Sequence, residues 1–288
     1  MSAEIVIQAI VSGLLMGAAY ALATVGFTIV FGVMNIANFA HGHSIMIAMF
    51  GGYCLNKYFG LSPYIAAPIL FVIFLGLGQL LYKLAIAPIM SSSVAAQLLT
   101  TLGLMIILEN LANLIFGGDL RSVPPPFASS SLRISGIAMP WTQVIAGVAS
   151  FFVIGLLWAF LRYTRFGTQI RAASDNKVGA AVVGVPIEKV FRWAFALATA
   201  TGAMAAGLLL PMYLVSPFVG HDFMLKAFVV AIIGGLGSFP GALFAGLLIG
   251  VIEALSGLFI GASLGSAVVF ALLLLTLLVR PEGLFARK

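Results

Sequence analysis

Charged residues and cysteine are scarce in this sequence. Only 8% of its 288 residues are charged, whereas 62% are hydrophobic. An ordinary soluble domain is about 25% charged, so this composition excludes most soluble folds. The single cysteine, Cys54, excludes an intrachain disulfide and every motif that needs two cysteines. We therefore expect a polytopic membrane protein that gains no stability from an oxidising compartment.

The motifs of nucleotide-binding and hydrolytic sites are also missing. The sequence has no phosphate-binding loop of the form GxxxxGK[ST] and no Gly-Lys pair, so any ATP would be bound by another chain. It has no GxSxG elbow, no HExxH motif and no paired aspartates of the kind that hydrolyse bonds within membranes. We therefore predict that the chain is not an enzyme and holds no cofactor.

Charge-free windows occupy most of the chain. The first lies between Glu4 and Lys57 and can hold two helices. Six later windows are each long enough for one helix: 58–82, 84–108, 134–161, 193–220, 227–252 and 254–279. A helix needs about 20 apolar residues to cross the hydrocarbon layer, and these windows lack the period-two polarity of barrel strands. We predict one all-α transmembrane bundle over residues 1–288, with about eight to nine crossings.

Basic residues collect in one connection and in the C-terminal tail. They are Arg162, Arg165, Arg171, Lys177, Lys189 and Arg192 in the connection, and Arg280, Arg287 and Lys288 in the tail. Because basic residues favour the cytoplasmic side, we expect the segment of about 162–190 and the C-terminus to face the cytoplasm. Counting crossings backwards then places the N-terminus and the loop of about 117–140 outside, although Arg121 and Arg133 argue against this. The anionic leaflet explains the net charge of +6, which therefore does not indicate nucleic acid.

A glycine-rich break interrupts the apolar sequence between residues 222 and 260. An even number of crossings must separate the two cytoplasmic segments, so this stretch must cross twice. The break consists of Gly234, Gly235, Gly237, Pro240 and Gly241. The glycines permit positive φ, and the proline lacks a backbone N–H, so a continuous helix is costly here. We predict a broken or re-entrant hairpin here, whose first arm at about 222–236 is short enough to be a half-helix.

Polar residues interrupt the first apolar window around the sequence Asn38-Phe39-Ala40-His41-Gly42. Asn35, Asn38 and His41 either cap helix ends in a cytoplasmic turn or line a translocation path, because polar groups at membrane depth are costly unless they meet water, substrate or a helix end. A metal site built from His41 and His43 is disfavoured, since the remaining histidine, His221, is far along the chain. We predict no metal site.

Two glutamates lie within otherwise apolar segments. Carboxylates inside a membrane are candidates for function, so Glu109 and Glu253 are predicted to line the path or its gates. The alternative role is structural, as hydrogen bonds across a helix interface. These residues also keep open an ion-coupled secondary transporter, which would need carboxylates near the midplane.

The connection after Arg165 contains a short amphipathic helix. Ser174 or Asp175 can cap its start and Gly184 can end it. An apolar stripe of Val178, Ala181, Val182 and Val185 then requires a surface, which is either the membrane, the bundle or a partner protein.

Glycines at four-residue spacing recur along the chain. Gly13 with Gly17 and Gly246 with Gly250 create small faces that let helix backbones approach closely. We expect them to pack helices within the bundle more often than between subunits.

The chain resembles the permease subunits of branched-chain amino acid ABC importers over nearly its whole length. The resemblance depends on the order of several motifs: Gly17-Ala18-Ala19-Tyr20-Ala21-Leu22, Asn38-Phe39-Ala40-His41-Gly42, Arg171-Ala172 through Gly184-Val185, Lys226-Ala227-Phe228, Gly234-Gly235-Leu236-Gly237-Ser238, Glu253-Ala254-Leu255 and Arg280-Pro281-Glu282-Gly283-Leu284. Family members commonly have an acidic residue where this chain has His43, and an arginine-rich stretch where it has Ala87-Pro88-Ile89-Met90.

The resemblance implies a bacterial inner-membrane assembly. Two related permeases, usually a heterodimer, would sit on two cytoplasmic P-loop ATPase subunits and receive substrate from a periplasmic binding protein. The connection at 167–185 would be the coupling helix, with contacts to the ATPase from Arg171, Ala172, Asp175, Ala180, Ala181 and Gly184. The implied cargo is a branched-chain or similar small amino acid, and urea or short amides are the alternative.

Overall fold

The protein, analysed as a computed structural model, is described over residues 3–124, 127, 130–134, 137–261, 264–280 and 283–285. Within these ranges the chain forms helices and one β-hairpin. The helices are α1 (Ala3–Met34), α2 (His41–Phe59), α3 (Pro63–Leu81), α4 (Val94–Phe116), α5 (Trp141–Tyr163), α6 (Arg165–Asp175), α7 (Lys177–Val182), α8 (Ile187–Leu209), α9 (Val219–Gly234), α10 (Phe239–Phe259) and α11 (Gly265–Val279). A π-helical turn at Tyr82–Ile86 extends α3, and 3₁₀ turns follow at Ala87–Ile89 and at Leu210–Met212.

Six helices in the described part of the chain are long and apolar enough to cross a membrane. They are α1, α3, α4, α5, α8 and α10, which confirms a polytopic helical membrane protein. The finer prediction of eight to nine crossings is not confirmed, because α9 and α11 have only 16 and 15 residues. At about 1.5 Å per residue these two helices reach less than 25 Å, which is shorter than the hydrocarbon layer of about 30 Å.

Helix α8 forms the centre of the bundle. In the most apolar 18 residues of its stretch Ile187–Met212, 83% of the residues are buried, far more than in any other of the six long helices. Its sequence after Phe195 is rich in Ala, Gly and Thr, so neighbouring backbones can approach closely. α1, α2 and α3 pack against it, and α10 packs against α1.

The two predicted glycine pairs meet in one contact between α1 and α10. A Cβ added to Gly17 would lie 2.6 Å from the Gly246 carbonyl oxygen, and one added to Gly13 would lie 2.7 Å from the Gly250 carbonyl oxygen. Real Cβ contacts are never this short, so only glycine fits. The expectation of packing within the bundle is confirmed for both pairs.

A short β-hairpin adds to the predicted all-α fold. β1 (Ser131–Ile134) pairs antiparallel with β2 (Ile137–Pro140), and the Gln8 side chain donates to the Ala138 carbonyl oxygen at 2.8 Å. The hairpin lies in the predicted loop of about 117–140, of which residues 125, 126, 128, 129, 135 and 136 lie outside the described residues. Pro281, Glu282, Arg287 and Lys288 of the predicted C-terminal motif and tail also lie outside them.

The chain reverses between α9 and α10 within the glycine-rich segment. α9 ends at Gly234, and Gly235 and Gly237 take φ values of 87° and 86°, which strongly favour glycine. The Ser238 side chain then caps α10 by accepting from the Gly241 amide at 3.1 Å. Pro240 occupies the first turn of α10, where its missing N–H costs nothing.

Candidate functional site

Two helix N-termini meet inside the bundle. α2 begins at His41, whose Nε2 lies 2.8 Å from the carbonyl oxygen of Ala23. Ala23 lies about three turns before the end of α1, so α2 starts about 16 Å inside the bundle. α9 begins next to it, since a Cβ on Gly42 would collide with the carbonyl oxygen of Gly220. Helix N-termini carry unpaired N–H groups and partial positive charge, so this junction favours negative groups.

A carboxylate and two imidazoles form a cluster at this junction. Oε2 of Glu109 lies 3.1 Å from Nε2 of His43 and 2.7 Å from Nε2 of His221. The two imidazole rings meet edge to face, with centroids 4.8 Å apart. α4, α2 and α9 each contribute one residue. The His43 side chain is fully buried whereas that of His221 is 45% exposed, so the cluster opens towards one side.

The three groups can share a proton or could hold a metal ion. Their ligand atoms lie within 4.8 Å of one another, and two histidines with one glutamate are a known zinc-binding set. A metal-bound histidine almost always donates its other ring N–H, but Nδ1 of His43 is buried without a hydrogen-bond partner. With Nε2 protonated, both histidines instead donate to Glu109 and Nδ1 needs no acceptor. The geometry therefore fits a carboxylate held by two imidazoles better than a metal centre.

A second polar cluster surrounds Lys226 on the same helix. Nζ of Lys226 lies 2.7 Å and 3.1 Å from the two carboxylate oxygens of Glu253, and 2.9 Å from the hydroxyl of Tyr20. The Tyr20 hydroxyl lies 2.8 Å from that of Tyr213, which is 3.4 Å from Nζ. The ammonium is also 4.2 Å from the centroid of the Tyr20 ring. One ion pair and its hydrogen bonds therefore join α1, α9, α10 and the connection between α8 and α9.

Both clusters reach the outer face of α9. His221, Lys226 and Glu253 are partly exposed, and Asp222 is exposed. Charged groups at membrane depth face water, a path or a protein partner rather than lipid, because transfer into hydrocarbon is costly. This polar face is the feature of the bundle best suited to handle a polar solute.

The other predicted path residues lie in the segment between α1 and α2. Asn35 is exposed and takes a left-handed φ of 57° where α1 ends. Asn38 is buried, and its side-chain oxygen accepts from the Ala40 amide at 3.1 Å. His41 is also buried within the contact between α1 and α2. These three residues shape the junction, and the structure does not bring them together with Glu109 or Glu253.

The predicted coupling segment folds as two short helices. Ser174 donates to the carbonyl oxygen of Gly32 at 2.7 Å, and Lys177 donates to that of Met34 at 3.2 Å, so α6 and α7 are attached to the end of α1. Val178 and Val182 are exposed on α7. Among the other predicted residues, Ala180 is buried, Ala181 and Asp175 are exposed, and Ala172 is half-buried.

One local detail of this segment differs from the sequence prediction. The side chain of Asn176, rather than Ser174 or Asp175, caps α7 by accepting from the Gly179 amide at 2.8 Å. Arg171 donates to the carbonyl oxygen of Leu161 and to the Thr168 hydroxyl, and its predicted contact with an ATPase stays a prediction. Gly184 follows α7 with a φ of 87°, which strongly favours glycine.

The sequence reasoning missed the partners of both glutamates. The premise that His221 is remote from the other histidines is wrong, because α9 returns to the start of α2 and places His221 beside His43. Lys226 and Tyr20 were noticed only as parts of motifs. A usable signal was present. Lys226 and Glu253 are opposite charges at the two ends of the window 227–252, which is predicted to reverse at its glycine-rich break, and such charges usually pair inside a membrane.

Comparisons with known proteins give the family. Residues 9–277 match the family described as branched-chain amino acid transport system permease component. The chain is 30% identical to the high-affinity branched-chain amino acid transport system permease protein LivH of Salmonella typhimurium, over 98% of this chain and 96% of that protein. LivH of Escherichia coli K12 gives the same values. BraD of Pseudomonas aeruginosa, a permease protein with the same description, is 28% identical over 98% of this chain and 96% of its own length. No solved structure matches the chain.

The family match covers the helices that carry both polar clusters and the α6–α7 segment. On this evidence the chain belongs to the permease component family of branched-chain amino acid transport systems.

Proposed function

We propose that this permease carries branched-chain amino acids, or similar small amino acids, through the bacterial inner membrane. The support for the cargo is that the relatives LivH and BraD are named as high-affinity branched-chain amino acid permeases. The polar outer face of α9 is proposed as one wall of the route, with Glu109 and Glu253 at its two clusters. Asn35, Asn38 and His41 shape the junction at which α2 and α9 begin, which is where a gate would act.

The proposed assembly places the remaining functions in other chains. A second related permease completes the route, two cytoplasmic P-loop ATPase subunits bind and hydrolyse ATP, and a periplasmic binding protein delivers the cargo. The proposed orientation has the N-terminus and the loop of about 117–140 in the periplasm, and the segment of about 162–190 and the C-terminus in the cytoplasm. It is supported by the basic residues of that segment.

The attachment of α6 and α7 to the end of α1 is the observation that carries this mechanism. The hydrogen bonds of Ser174 to Gly32 and of Lys177 to Met34 mean that a force on α7 reaches the end of α1. The next residues lead directly to the start of α2, where His41 and His43 lie. An ATPase that binds one arrangement of α7 better than another would therefore shift the junction between its open and closed states.

The exposed valines of α7 provide a sharp test. Val182→Asp puts a charge on the proposed docking face without burying it, because Val182 is 82% exposed. We expect ATP-driven leucine uptake in proteoliposomes containing the purified complex to fall at least about tenfold, while binding of leucine to the binding protein is unchanged. Leu120→Asp is the control, since Leu120 is also a large apolar residue, is 67% exposed, and lies in the loop that is proposed to face the periplasm. Equal uptake by both variants would refute the coupling role of α7.

An ion-coupled secondary transporter is the second candidate, and the Glu109 cluster favours it. A carboxylate shared by two imidazoles inside a membrane could carry a proton through a transport cycle. Replacing both Glu109 and Glu253 with glutamine would abolish uptake driven by a proton gradient, whereas ATP-driven uptake would survive in part. Competition by urea or short amides against leucine, measured in the same proteoliposomes, tests the alternative cargo.

A further inference from the structure

A long apolar groove lies between α3, α5 and α8 on the outside of the bundle. Its volume is about 640 Å³, within the range of about 300–1,000 Å³ that is common for ligand sites. Apart from Thr201 and Lys189, the residues that line it are aliphatic or aromatic, and they include Phe71, Val72, Val153, Leu157, Leu197 and Met204. The Thr201 hydroxyl already donates to the Ala198 carbonyl oxygen at 3.0 Å, so it offers no free donor to a ligand. The groove therefore suits a hydrocarbon ligand.

The groove runs along the central helix α8. Its residues extend from Lys189 near the start of α8 to Met204, which is about four turns or about 22 Å further along. One leaflet contributes about 15 Å to the hydrocarbon layer. A single extended acyl chain in the groove would therefore cross one leaflet and leave Lys189 at the level of the lipid head groups.

Positive charge is concentrated at one end of the groove. Lys189 lines that end, and the exposed Arg162 and Arg165 follow Phe160 and precede Phe166 closely in sequence. Glu188 adjoins Lys189 in sequence and is also exposed, so three basic residues stand against one acid in this region. An anionic head group would therefore meet an excess of positive charge at the mouth of an apolar channel.

We propose that this groove binds one acyl chain of an anionic phospholipid, whose phosphate is held by Lys189. The occupied groove would brace α3 and α5 against α8, which also packs against α1 and α2. The proposal needs only that the chain lies in a membrane, so it does not depend on the cargo or on ATP. A negative result for lipid binding would therefore not refute the proposed transport of leucine, and a negative result for transport would not refute the proposed lipid binding.

Tryptophan fluorescence gives a direct test because Trp193 lines the groove. The chain has three tryptophans, and replacing Trp141 and Trp158 with phenylalanine leaves Trp193 as the single reporter. The full-length chain would be reconstituted in bilayers that contain either phosphatidylglycerol or phosphatidylcholine with brominated acyl chains, which quench a tryptophan in contact. We expect half-maximal quenching at about fivefold lower mole fraction of the anionic lipid, since one basic residue near an anionic lipid contributes about that factor.

Two matched pairs of variants separate the proposal from general lipid contact. Lys189→Gln should remove the preference for the anionic lipid, whereas Lys83→Gln, at an exposed lysine outside the groove, should keep it. Val72→Phe should reduce quenching by both lipids by filling the groove, whereas Ile73→Phe, on the neighbouring exposed position of α3, should not.

Three results would overturn the proposal. Equal quenching by the two lipids in the single-tryptophan chain would show that the basic end of the groove does not distinguish anionic from zwitterionic head groups. An unchanged preference for the anionic lipid in Lys189→Gln would show that Lys189 does not contact the head group. Equal effects of Val72→Phe and Ile73→Phe would show that the quenching lipid lies outside the groove.

Discussion

The ion pair of Lys226 with Glu253 should be one of the strongest single contacts that stabilise the bundle. Lys226→Met removes the ammonium and leaves the Glu253 carboxylate without a cation inside the membrane-spanning region. Breaking a fully buried pair in this way costs about 3–5 kcal/mol, and breaking an exposed pair costs at most about 1 kcal/mol. The two side chains are 20% and 27% exposed, so this pair lies between those limits but closer to the buried one. We expect Lys226→Met to lower the free energy of unfolding by about 2–3 kcal/mol.

The partner substitution should be milder. In Glu253→Gln the Lys226 ammonium keeps its hydrogen bonds to the hydroxyls of Tyr20 and Tyr213, and the new amide oxygen can still accept from it. We expect a loss of about 1–2 kcal/mol, because the remaining contacts solvate the charge only in part. In the double variant both charges are gone, so its loss should be smaller than the sum of the single losses by about 1–2 kcal/mol.

Unfolding in mixed micelles, with sodium dodecyl sulfate as the denaturant and far-ultraviolet circular dichroism as the signal, measures these differences. Lys83→Met is the control, because Lys83 is an exposed lysine and its loss should change the free energy of unfolding by no more than about 0.5 kcal/mol. The reasoning is refuted if Lys226→Met costs no more than the control, or if the double variant loses the sum of the two single losses.

Further predictions concern packing and the α6–α7 segment. Gly17→Leu should cost about 3 kcal/mol or more, because a Cβ there meets the backbone of α10, whereas Gly76→Leu, whose Cβ meets nothing within 4 Å, should cost less than about 1 kcal/mol in the same denaturant titration. Gly42→Leu should prevent α2 and α9 from meeting and reduce the yield of folded protein well below that of Gly76→Leu, and an equal yield would contradict the described junction. Asn176→Ala should weaken α7 by about 1 kcal/mol through loss of its N-cap, seen as faster amide exchange in α7 alone, whereas Asn110→Ala, at an exposed asparagine on α4, should leave that exchange unchanged.

Charge-free windows predicted much of the helical architecture, because crossing a bilayer imposes the same length and polarity on every helix. The helix ends predicted from these windows were wrong where a charged residue lies inside a helix. Glu109 was taken as the end of a window, but α4 continues to Phe116. The helix tolerates both polar residues at this point because Glu109 meets two imidazoles and Asn110 donates to its own backbone at Ile106.

The candidate site was harder to predict than the fold. Glu109 and Glu253 stood out because a carboxylate is costly in an apolar segment, and that argument needs no knowledge of neighbours. Their partners could not be identified in the same way, because His43 and His221 come together only when two interrupted helices meet. The pattern of apolar residues along the sequence predicts where a helix forms. It does not predict which helix ends meet, because that depends on packing between segments that are distant in sequence.

The composition of the purified complex tests the central claim most directly. The chain would be tagged at its C-terminus, extracted gently from its native membranes and analysed by mass spectrometry, and the same preparation would be assayed for ATPase activity and leucine uptake. We expect a P-loop ATPase and a second permease in stoichiometric amounts, with uptake that requires ATP. Recovery of the chain alone, with uptake that collapses when the proton gradient is dissipated, would contradict an ATP-driven importer and favour a secondary transporter.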